Sequence, residues 1–91
     1  MTVTAVCFDV ATAYLLLQRG AAVVLVAQDA EALGRAAPGL RAQGRVAIFV
    51  GDPADEEVME AARAMAGEQF GAEPVVVPDL ESARRLDLSV K

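Results

Sequence analysis

Histidine and tryptophan are absent from this 91-residue chain, cysteine and tyrosine occur once each, and the only serines are Ser82 and Ser89. Without histidine, a Ser-His-Asp triad, a Cys-His pair or a usual zinc site cannot be assembled. Cys7, alone, cannot close an internal disulfide, and no leader of charged, apolar and small residues precedes the first apolar segment, so the expected location is cytoplasmic. The longest apolar run, Ala21 to Ala27, is far shorter than the roughly 20 residues that span a bilayer. No membrane insertion is expected.

Positive charge is also scarce. Lys91 is the only lysine, and eight basic residues face thirteen acids for a net charge of -5. Nucleic acids and anionic membranes bind clustered Lys and Arg, so neither is an expected partner. The pair Arg84 and Arg85 reads as a solvated helix face. Asp52, Asp55, Glu56 and Glu57 lie close together but lack the spacing of a calcium loop and read as the acidic start of a helix.

What the chain has in quantity is small aliphatic side chains: 55% of residues are hydrophobic and only 4% aromatic. Ninety-one residues make one domain, 1–91, with a small core. So apolar a composition leaves apolar surface for a partner.

Apolar runs and breakers give the order of elements. Thr2 to Cys7 has the β-branched content of a strand, and Ala11 to Arg19 forms a short helix ending at Gly20. Val23 to Val26 and Val46 to Val50 are continuous apolar runs, the pattern of parallel strands covered on both faces. Between them Asp29 caps a helix through Leu33 and Leu40, which Gly34 and Pro38-Gly39 should break or kink before Arg41. An amphipathic helix over Glu56 to Phe70 places Val58, Ala62, Met65 and Ala66 on one face and stops at Gly71. Pro74 to Val77 supplies a fourth strand, and a short helix follows around Ser82 to Leu86. Val24, Val26, Val46, Ile48 and Val76 are the expected core of the sheet. Alternation of strands and helices with short connections predicts right-handed crossovers and a parallel sheet.

Residues Arg19 to Asp55 resemble the second strand, second helix and third strand of the short-chain dehydrogenase/reductase family. Ala11-Thr12-Ala13 with the following leucines is similar to that family's first helix, and Gln69-Phe70-Gly71 to the segment before its fourth strand. The resemblance implies an α/β, Rossmann-like three-layer fold: about four parallel strands in the order 3-2-1-4 with helices on both faces. It also implies a truncated, degenerate relative, because the chemistry-bearing parts differ. The family's Thr-Gly-x-x-x-Gly-x-Gly loop brings the backbone to a dinucleotide diphosphate. Here Ala5 to Val10 contains no glycine, and Phe8 and Asp9 put bulk and negative charge where the diphosphate would sit. Asn-Asn-Ala-Gly is replaced by Pro78-Asp79-Leu80-Glu81. The family's Tyr-x-x-x-Lys belongs to a part of the fold this chain lacks, and Tyr14 is followed four residues later by Gln18.

No catalytic and no metal-binding residue is therefore expected. Asp29, at the end of the second strand, is placed to meet a cofactor ribose or to cap a helix. Asp52 aligns with a family aspartate near the adenine, and turn chemistry with Gly51 and Pro53 accounts for it equally well. The expected function is non-catalytic and works through protein–protein contact, as an accessory subunit or homo-oligomer without cofactor. The alternative is an NAD- or NADP-dependent oxidoreductase subunit, or a nucleotide- or metabolite-binding regulator. The expected contact surface is the fourth strand, Val75, Val76 and Val77, flanked by Tyr14, Leu88 and Val90.

Overall fold

The computed structural model describes residues 3–71 and 74–85. Elements alternate as β1 (Thr4–Cys7), α1 (Val10–Gln18), β2 (Ala22–Ala27), α2 (Ala30–Gln43), β3 (Val46–Val50), α3 (Glu56–Phe70), β4 (Val75–Val77) and α4 (Leu80–Arg85). The strands form one parallel sheet in the order β3-β2-β1-β4. This is the Rossmann-like order that the sequence resemblance implies. Leu88 and Val90 lie outside the described residues.

Alternation along each strand divides the core in two. Ala5, Cys7, Val23, Leu25 and Val77 face α1, α2 and α4, where they meet Leu16, Leu17, Leu33, Leu40 and Ala83. Val6, Val24 and Val26 face α3, where small Ala62 and Ala66 let the helix lie close to the sheet. Central β1 and β2 are buried almost throughout, β2 as its continuous apolar run predicts and β1 with Thr4 included.

Three expectations need correction. The helix with Pro38 is continuous from Ala30 to Gln43. Leu33, Ala37 and Leu40, on both sides of the proline, are all buried, and this shared anchorage holds the two halves in one line despite the lost backbone donor. Gly39 leaves room for the end of the Tyr14 side chain: a Cβ there would meet the Tyr14 hydroxyl, which would have to shift. Second, Val46 and Ile48, expected in the core, are only half-buried and Val50 is 52% exposed, because β3 is an edge strand, as the order 3-2-1-4 implies, despite its central-strand composition. Third, Val76 is 36% exposed rather than part of the core, because β4 is the opposite edge and Val76 faces the side of the sheet where α3 packs over β1, β2 and β3.

A right-handed connection from β4 to a parallel strand beyond it would run on the α3 face, since the β3-to-β4 crossover, moving the same way, already does. The helix α4 instead packs on the opposite face. Ala83 joins the α1-side core, and an Arg19 Nη1 donates to the Ala83 carbonyl at 2.7 Å.

Candidate functional site

In an open parallel sheet, ligands bind beyond the carboxyl ends of the strands where the winding direction reverses. Here that point lies between β1 and β4. Phe8-Asp9-Val10 leaves β1 and Pro78-Asp79-Leu80 leaves β4.

Every strand is followed by an aspartate whose carboxylate is spent on local backbone. After β1, Asp9 caps α1: its Oδ1 accepts from the Thr12 N–H at 2.7 Å and its Oδ2 from the buried Thr12 hydroxyl at 2.9 Å. Asp29 follows β2 and accepts from the Ala32 N–H at 3.0 Å, which makes it the cap of α2. Asp52 follows β3 and accepts from the Ala54 N–H at 2.9 Å, forming a turn that delivers Asp55 to cap α3 through the Glu57 N–H. After β4, Asp79 accepts from the Ser82 N–H at 2.7 Å.

Free N–H groups at a helix start attract phosphate. With Asp9 bonded to Thr12, the start of α1 is already served by the chain's own carboxylate, and the ring of acids at this edge opposes an anionic ligand. Asp29 and Asp52, the sequence candidates for cofactor contact, lie at the ends of adjacent strands, are exposed, and act in a cap and a turn. The caps at Asp55 and Asp79 and the buried partner Thr12 went unread in the sequence. The spacing signal was there: Asp9 and Asp79 each precede a hydroxyl residue by three positions, the distance from a cap to the N–H it serves.

Of the expected contact residues, Val75 and Val76 are exposed at 44% and 36%. Val77 belongs to the core at 2% exposure and offers no outer surface, because its side chain points to the α1 face that α4 closes. Tyr14 is half-buried and packs between α1 and α2 against Gly39.

Among the described residues no group of three or more His, Cys, Asp or Glu side chains is arranged to hold a metal ion. No described helix is long and apolar enough to cross a membrane. A groove of about 430 Å³ lined by Pro53, Ala54, Glu56, Met59, Glu60 and Arg63 runs along α3 and includes none of Asp9, Asp29, Asp52 or Asp79.

Two titrating groups are displaced. Hydrogen bonds from the Ser82 N–H and hydroxyl hold the exposed Asp79 carboxyl below its usual value, so the α4 cap weakens only in acid, as pH falls through that depressed pKa. Burial, reinforced by the Asp9 charge and partly offset by the Asp9 backbone, pushes the Cys7 thiol from 9.0 to about 12. The unfolded thiol loses its proton first, so stability is intact below pH 9 and falls by about 1.4 kcal/mol per pH unit from there toward pH 12. Urea unfolding from pH 8 to 11 should show this slope, and Cys7→Ala should flatten it. Equal slopes in the two proteins would mean that the thiol is not shielded.

Comparison with protein-family models and with curated proteins finds no match. The likeness to short-chain dehydrogenases rests on the residues and element order described above.

Proposed function

We propose that this chain is a non-catalytic, short-chain-dehydrogenase-like module that acts through protein–protein contact, as a homo-oligomer or an accessory subunit. The observation that carries this reading is the occupied start of α1: Asp9 sits on the N–H group that a diphosphate would need. Sheet edges with exposed Val50, Val75 and Val76 support it from the other side, since unpaired edges are sites of association. The strand order retains a switch point, which is what favours the second reading, an NAD(P)-dependent oxidoreductase subunit or a nucleotide- or metabolite-binding regulator.

Isothermal titration with NAD and with NADP separates the two. No saturable heat is expected for either cofactor. A saturable, micromolar response to one of them would overturn the non-catalytic reading in favour of the oxidoreductase one.

A further inference from the structure

The two edges of the sheet are not equivalent. Residues of a strand point their backbone groups alternately to either side. In β3 the Arg45 carbonyl accepts from Val23 and the Gly51 N–H donates to Ala27, so Arg45, Ala47, Phe49 and Gly51 face β2. Val46, Ile48 and Val50 turn their N–H and C=O groups outward, and among the described residues no strand pairs with them. In β4 the register with β1 turns Val75 and Val77 inward and leaves Pro74, Val76 and Pro78 on the outer side. Both prolines lack an N–H, so this three-residue edge is blunted against pairing. The five-residue β3 edge, with no charge or proline, has no such protection.

We propose that β3 pairs with β3 of a second copy of this chain, antiparallel about a two-fold axis through Ile48, to make one sheet of twice the width. This inference rests on the protein-contact reading and names its partner. The sequence Val46-Ala47-Ile48-Phe49-Val50 is self-complementary in this register. Val46 lies opposite Val50 of the other copy, and Ile48 lies opposite itself, each pair exchanging outward N–H and C=O groups. Ala47 lies opposite Phe49, small against large. The exposed Val50 side chain gains an apolar neighbour.

Charge selects the antiparallel sense. Arg41 and Arg45 lie at the amino end of β3, with Arg45 placed 5.7 Å above the Phe70 ring, whereas Asp52, Asp55 and Glu56 lie at its carboxyl end. Antiparallel pairing sets the basic end of each copy beside the acidic end of the other. A parallel arrangement would oppose like charges.

The test uses the whole chain in light scattering and thiol cross-linking. A dimer is expected at micromolar to millimolar concentration, and Val50→Lys, at a position 52% exposed, should raise the concentration of half-dissociation by roughly tenfold or more while the urea midpoint of the monomer stays near that of the parent. Hydrogen-bonded antiparallel partners lie about 5.5 Å apart between Cα atoms, within disulfide reach. Ile48→Cys should therefore form a covalent dimer on mild oxidation, and Val76→Cys should not, with buried Cys7 silent in both. A monomer at every concentration, or a dimer untouched by Val50→Lys and trapped through Val76→Cys, would overturn the β3 pairing. The second outcome would leave the protein-contact reading standing with β4 as its surface. Saturable NAD or NADP binding in the titration above would instead remove that reading itself.

Discussion

Replacing Val24 by Asp is expected to abolish folding. Val24 is 0% exposed in the middle of β2, pairs with Val6 on one side and Ala47 on the other, and faces Ala62 and Ala66 of α3. A carboxylate there has no route to water and no described cation in its cluster, and burying such a charge costs several kcal/mol beyond the roughly 1.5–3 kcal/mol of lost aliphatic burial. Domains are stable by only about 5–15 kcal/mol, and one this short lies toward the low end. Ile48→Asp, in contrast, sits on an edge strand half-open to solvent, and its carboxylate reaches water with small backbone adjustment. Circular dichroism during urea titration should show no cooperative transition for Val24→Asp and a retained, weakened one for Ile48→Asp. A cooperative melt near the parent midpoint in Val24→Asp would refute the central place of β2.

The second large effect is expected at Asp9. Asp9→Ala removes the cap of α1, worth about 0.5–2 kcal/mol, and strands the hydroxyl of fully buried Thr12, worth about 1–3 kcal/mol more. The combined loss should be about 1.5–5 kcal/mol, large for so small a domain. Asp9→Asn keeps an acceptor for the Thr12 N–H and a donor for its hydroxyl, and should retain most of the stability. Adding Thr12→Val to Asp9→Ala removes the orphaned hydroxyl and should recover part of the loss, a coupling that a double-mutant cycle measures. If Asp9→Ala unfolds at the parent urea concentration, the carboxylate does not hold the start of α1.

Part of this structure is legible in the amino-acid sequence. Buried β2 is apolar in an unbroken line because both its faces are covered, and Asp29, Gly71 and the acidic first turn of α3 mark helix ends by chemistry that acts within a few residues. Local rules failed where distant contacts outweigh them. Pro38 ought to interrupt α2, yet three buried aliphatic side chains hold the helix to the sheet across it. The apolar run of β3 is indistinguishable from that of a central strand, because composition reports how well a segment packs and not how many neighbours the topology gives it.

The candidate site divides in the same way. The missing glycines between Ala5 and Val10 and the aspartate at position 9 were visible as residue types. That Asp9 serves a threonine buried beneath it, that Val77 turns inward while Val76 turns out, and that both prolines beside β4 fall on its outer side are matters of register. The sequence by itself determined the alternation of elements, the acidic helix starts and the absence of histidine, since each depends on residue types or on residues near in the chain. Only the tertiary structure decided how deeply each edge strand is covered and which backbone groups point outward, because those depend on pairings between segments far apart in sequence.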